Sequence, residues 1–139
     1  MSEPSLKRLL DSVETIILVG ASEKQHRDSY KIMAFLLERG YEVFPVNPRL
    51  AGGELMGRPV FASITQAADH IRNQLNKSVD MVDVFRDPAH LGEVAKEAIA
   101  AGVRILWGQL GVQNAAAEAE ARQAGLTVVT NQCPKIILR

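Results

Sequence analysis

Thr15-Ile16-Ile17-Leu18-Val19-Gly20-Ala21-Ser22 carries five β-branched or apolar residues straight into a glycine. A run this short and this apolar reads as a strand buried on both faces. Gly20 permits a sharp turn and a close backbone approach. A helical pattern follows over Ser29–Arg39, with Ile32, Phe35 and Leu36 at i, i+3 and i+4. Gly40 closes it as a left-handed cap. A strand, a tight turn and a helix start together present backbone amides and partial positive charge, which suit a phosphate. Gly20-Ala21-Ser22-Glu23-Lys24-Gln25 keeps only the first glycine of the G-x-G-x-x-G pattern, so an ordinary strand-to-helix turn is the competing reading.

The same alternation continues outward from this unit. A short helix at Ser5–Asp11 precedes it. Glu42–Val46 is a second strand, followed by a turn-rich stretch from Asn47 to Arg58. Val60-Phe61-Ala62 reads as a short third strand. Ile64–Leu75 reads as a helix with Ala67, Ala68, Ile71 and Leu75 inward. Val79–Phe85 is a fourth strand interrupted by Asp80 and Asp83. Asp87-Pro88 opens a helix that Gly102 ends. Val103–Trp107 is a fifth strand, Asn114 caps a helix ending at Gly125, and Leu126–Val129 is a sixth strand.

Strands alternating with helices predict an α/β fold: a Rossmann-like, doubly wound parallel sheet of five to six strands with helices on both faces. Right-handed crossovers favour the order 3-2-1-4-5-6. Neither a linker nor a composition break divides the sequence, so one domain over 1–139 is expected. Its ligand crevice should lie beyond the carboxyl ends of strands one and four, where the winding reverses. The loops Gly20–Asp28, Asn47–Gly53 and Phe85–Pro88 reach it, with Gly108–Val112 nearby.

Composition narrows the ligand. The 139 residues are 47 % hydrophobic with a formal net charge of zero, so no general pull toward nucleic acid or membrane is expected. Aromatic residues are 5 %, too few for a base-stacking platform. No apolar run approaches the ~20 residues of a membrane helix. The charged first fifteen residues do not resemble a signal peptide. The single cysteine, Cys133, cannot form an internal disulfide and suits a reducing cytoplasm. His26, His70 and His90 lack metal-ligand spacing, and neither a Walker motif nor a Gly-x-Ser-x-Gly elbow is present. Asp80 and Asp83 point to opposite faces of their strand and do not form an acid/base pair.

The second strand ends in Asn47-Pro48-Arg49, where a nicotinamide-dinucleotide domain carries an acid for the ribose 2′-hydroxyl. An amide can bond a hydroxyl without repelling a phosphate, and Arg49 is a fitting counter-charge. A phosphorylated ribose therefore suits this site. Lys24 and Arg27 should converge on the same crevice, and the Ser22 hydroxyl adds a donor. Tyr30 is read two ways, beside a base or ribose, or packed against the sheet. Cys133 is likewise a small buried group, or a thiol near the reactive end of a thiol cofactor.

Several segments then line up together: Val19-Gly20-Ala21-Ser22, Arg27, Ser29-Tyr30, Gly40-Tyr41-Glu42-Val43, Pro45-Val46-Asn47-Pro48, Gly52, Val82-Asp83-Val84-Phe85-Arg86, Trp107, Gln109, Gly111-Val112 and Cys133-Pro134. Over essentially its whole length the chain resembles the small stand-alone CoA-binding proteins. It is more distantly similar to the N-terminal domain of the succinyl-CoA synthetase α subunit, through Pro48-Arg49, Gly52-Gly53, Gly57-Arg58-Pro59-Val60-Phe61 and Asn131-Gln132-Cys133-Pro134. Asp28 stands where such proteins commonly have proline, and Ile137 where they often have glutamate.

The resemblance implies a Rossmann-type domain that binds coenzyme A. Gly20, Ala21 and Ser22 would hold phosphates, with Lys24, Arg27 and Tyr30 beside them. Asn47, Pro48 and Arg49 would face the phosphorylated ADP part. Phe85, Arg86 and the Gln109–Val112 loop, including Gly111, would line the pantetheine path. The expected function is non-catalytic binding of CoA or an acyl-CoA by a carrier, sensor or partner subunit. Acyl-CoA ligase chemistry is not expected, because the phosphohistidine and nucleotide-binding parts do not fit in these residues. The alternative is an NAD(P)-binding enzyme or redox sensor on the same fold.

Overall fold

Thr15–Val19 forms β1, and all five residues are buried. In the computed structural model, which describes residues 1–139, β1 is the second strand of a five-stranded parallel sheet. Its partners are β2 (Glu42–Val46) and β5 (Met81–Val84); β6 (Ile105–Gly108) and β7 (Thr127–Val129) extend the sheet to β2-β1-β5-β6-β7. Val60-Phe61-Ala62 does not form a strand. It contributes one parallel bridge, Val46 to Phe61, on the outer side of β2. The expected winding order is therefore observed, with its outermost strand reduced to two hydrogen bonds, Phe61 N to Pro45 O and Asn47 N to Phe61 O.

Strict alternation divides the core between the two faces. Ile17, Val19, Val82, Val84 and Leu106 meet α3 (Ile64–Asn73), α4 (Leu91–Ala100) and α5 (Ala115–Gln123). Ile16, Leu18, Met81, Ile105 and Trp107 meet α1 (Glu3–Asp11), α2 (Asp28–Glu38) and α6 (Pro134–Leu138). Helices thus cover both faces, as a parallel sheet requires.

The turn-rich stretch holds a two-residue hairpin, β3 (Glu54–Leu55) to β4 (Arg58–Pro59). Met56 and Gly57 both have positive φ, 50° and 76°, the geometry of a primed turn. Helix α3 ends at Asn73, so Leu75 is 36 % exposed rather than inward. Met33, not Phe35, completes the buried stripe of α2; the half-buried Phe35 ring lies under Arg39 and Lys135. Asp87 caps a 3₁₀ turn, Pro88–His90, ahead of α4. Asn114 caps α5 as expected, accepting from the Ala117 amide at 3.1 Å.

The two strand aspartates have different environments. Asp80 accepts the amides of Glu14 (2.8 Å) and Thr15 (3.2 Å) and ties the start of β1 to β5. Asp83 is fully buried on the Trp107 side of the sheet, and neither carboxyl oxygen has a partner. Burial raises its pKa well above the ordinary carboxylate value. The folded protein therefore keeps a proton that the unfolded chain releases from about pH 4 upward. This contribution to stability is fully present below the unfolded pKa and is lost as pH rises through the raised native value. Asp83→Asn keeps the shape and cannot ionise. It should flatten the fall of urea-unfolding stability with rising pH above about 4; an unchanged slope in the variant would contradict this reading.

Candidate functional site

Beyond the carboxyl ends of β1 and β5 the winding reverses, and a cleft of about 550 Å³ opens there. Its floor depends on Gly20. With φ at +88°, a Cβ on Gly20 would stand 2.7 Å from the Phe85 carbonyl oxygen. The loop after β1 therefore comes against the loop after β5 too closely for any side chain on Gly20.

Asn47 joins the third loop to the first. Its side-chain amide nitrogen donates to Ala21 O at 2.9 Å, and its oxygen accepts the Arg49 amide at 2.8 Å. Those two partners fix the orientation of the amide. They also account for an amide rather than an acid at this position, since a carboxylate cannot donate to a carbonyl. Asn47 lines the cleft as expected, and it also holds the two loops together.

Gly20 and Ala21 line the cleft, and both amides donate to Val46 O at 3.2 Å. The free amides lie further on. Helix α2 begins at Asp28 without a side-chain cap, and the Asp28, Ser29 and Tyr30 amides have no backbone acceptor. Ser22 Oγ accepts the Lys24 amide at 3.0 Å, which shapes the loop.

Lys24, Arg27, Arg49 and Arg86 all line this cleft, against the carboxylates of Asp28 and Asp87. None of the four cations belongs to an ion pair. At the opposite end of the sheet the pattern is reversed. Lys77 binds Glu14 (2.7 Å) and Glu42 (2.6 Å), and Arg104 faces Asp80 (3.7 Å).

A second cleft of about 470 Å³ shares Asp28, Phe85 and Arg86 with the first, so the two form one groove. Gln109, Leu110, Gly111, Val112 and Cys133 line it. Gly108 lets this wall fold back, because a Cβ there would come 2.6 Å from Val112 O. The Gly111 amide donates to Asn131 Oδ1 at 2.8 Å, which binds the loop after β6 to the loop after β7.

Pro48 faces a third cleft of about 500 Å³, bounded also by Arg49 and Ser63. Tyr30 lines none of the three; it is half-buried against the α2 side of the core. The other named positions meet along the groove. Lys31 and Lys135 were not singled out from the sequence, His90 was weighed only as a metal ligand, and Ile32 only as a buried helix position. The spacing of Asp28, Lys31 and Ile32, i, i+3 and i+4 on α2, is the signal that marks one shared helix face.

Comparison with known proteins agrees with this geometry. Residues 14–139 match the model of the CoA binding domain family, and the chain belongs to that family. It is similar to YneT of Bacillus subtilis (strain 168), 28 % identical over 135 residues that span 97 % of this chain and 93 % of YneT. A solved protein from Pyrococcus horikoshii OT3 superposes with a TM-score of 0.86 at 32 % identity, covering 99 % of this chain and 89 % of that one. At the level of fold alone, 85 % of the chain superposes on 26 % of a dinucleotide-forming acetyl-coenzyme A synthetase from Ca. Korarchaeum cryptofilum (TM-score 0.67, 20 % identity).

Asn47→Asp provides a test of the loop tie. It puts a carboxylate against Ala21 O and removes the donor. The expected cost is about 1–3 kcal/mol in urea unfolding. Wild-type stability in that variant would show that the tie contributes nothing.

Proposed function

We propose that this chain binds coenzyme A or an acyl-CoA along the joined clefts, without catalysing a reaction on it, as a carrier, sensor or partner subunit. The observation that carries the reading is the convergence of four unpaired cations and the uncapped start of α2 on one cleft, which continues into an apolar one. The phosphates of CoA need the first cleft and its pantetheine arm needs the second. Family membership supports the same ligand. Arg49 stands beside the phosphorylated ribose, Arg27, Lys24 and Ser22 beside the pyrophosphate, and Phe85, Gln109 and Val112 along the arm. The like-folded stretch is a quarter of the synthetase chain, which fits a binding part rather than a whole ligase. A free cysteine as the only one suits a reducing, cytoplasmic setting.

Thermal-shift titration with CoA, dephospho-CoA, NAD and NADP tests the assignment. CoA should raise the melting temperature most, and dephospho-CoA less, because it lacks the 3′-phosphate. Arg49→Ala should weaken CoA binding by about 1–3 kcal/mol and erase the difference between the two forms. Equal affinity of the wild type for CoA and dephospho-CoA would remove Arg49 from the site. Tighter binding of NADP than of CoA would replace the ligand.

A further inference from the structure

The second cleft ends in a thiol. Cys133 is 8 % exposed and lines that cleft beside Gln109, Lys31 and Lys135. The segment carrying it is clamped to β6 on both sides. Trp107 Nε1 donates to Gln132 O at 2.9 Å, the Gln132 amide reaches Gly108 O at 3.3 Å, and Asn131 holds Gly111. The thiol is thus held in the wall of the groove.

Gln109 supplies a second and independent sign of a ligand at this end. It is 6 % exposed and lines the cleft, and its side-chain carbonyl oxygen has no donor. Buried carbonyls without a donor are uncommon, and a ligand N–H is the partner this one lacks. Pantetheine carries two amide N–H groups ahead of its sulfur.

The reach also fits. From the turn after β1 to the segment after β7 is three strand spacings, about 14 Å. An extended pantetheine arm is about as long as four extended residues, also about 14 Å. Phosphates at the start of α2 therefore put the CoA sulfur at the Cys133 end.

Resting on the CoA reading above, we propose that Cys133 exchanges with disulfides of coenzyme A, so that the protein captures CoA covalently from CoA–S–S–R. Cys133 releases its proton to solvent, and its thiolate attacks the CoA sulfur. The Cys133–S–S–CoA bond forms as the CoA–S–S–R bond breaks, and R–S⁻ leaves and takes up a proton. One disulfide is consumed and one is formed, so no other oxidant is needed. Lys31, Lys135 and Arg86 line the cleft where the leaving thiolate develops its charge.

Intact-mass spectrometry of the full chain with CoA disulfide, and separately with glutathione disulfide, tests this. CoA disulfide should add one CoA at Cys133 at least tenfold faster than glutathione disulfide adds glutathione at the same concentration. Excess desulfo-CoA, which occupies the groove and cannot react, should slow the first reaction. Cys133→Ser should form no adduct with either disulfide; should that variant not fold, peptide mapping of the wild-type adduct locates the bond. Equal rates with the two disulfides would overturn the inference. So would the absence of an adduct in protein that CoA stabilises, which leaves the binding reading standing. If CoA does not stabilise the protein and CoA disulfide does not modify it, both readings fall.

Discussion

The contact between Gly20 and the Phe85 carbonyl sets the geometry from which the rest of the groove follows. Two parallel strands whose connections wind in opposite directions must diverge beyond their carboxyl ends. Here the loops after β1 and β5 come too close for any side chain on Gly20, since a single methyl there would lie inside van der Waals distance of that oxygen. The positive φ at the same residue turns the chain away toward α2, so the uncapped helix start lies over the crevice. A larger residue would push the loops apart and move those amides off the anion path. The glycine is thus fixed by two independent constraints, one steric and one conformational.

Around that contact the loops are held by groups that have no part in charge. Asn47 bridges Ala21 and Arg49, and Asn131 bridges to Gly111. Each amide satisfies backbone groups that would otherwise face the crevice unpaired. Because these neutral side chains do the holding, the cations remain free of internal partners. The far end of the sheet is organised in the opposite way, with Lys77, Arg104 and Asp80 consumed in structure.

Much of this was legible in the sequence, and what was not has physical reasons. Strands buried on both faces announce themselves as short apolar runs, and the winding order followed from their alternation with helices. Val60–Ala62 reads like a strand, yet it sits outside β2 where only one side offers hydrogen bonds, so it keeps a single bridge. Leu75 fits the helical period, but α3 has already ended. The C-terminal turn α6 is too short to show a period. At the site, the cations of the first loops could be placed from the strands they follow. The partners of Asn47 could not, because residue type shows what a side chain can bond and not which bonds the fold has already made. That the Gly20 and Ala21 amides are both taken by Val46 could not be read from residue type for the same reason.

The balance of forces explains why both clefts are needed. An exposed cation about 4 Å from a phosphate contributes roughly 1 kcal/mol in a water-like medium, and somewhat more where the protein lowers the dielectric. Four such residues, opposed by Asp28 and Asp87, supply only a few kcal/mol together. Micromolar affinity requires about 8 kcal/mol after the cost of immobilising a flexible ligand. The phosphate cleft by itself therefore selects by charge and holds weakly. On the proposed reading the remainder would come from apolar contact with Phe85, Ile32 and Val112 and from the unfilled acceptor on Gln109. On the proposed reading, a groove built in this proportion would favour a ligand that is anionic at one end and a slender amide chain at the other over nucleotides that end at the pyrophosphate.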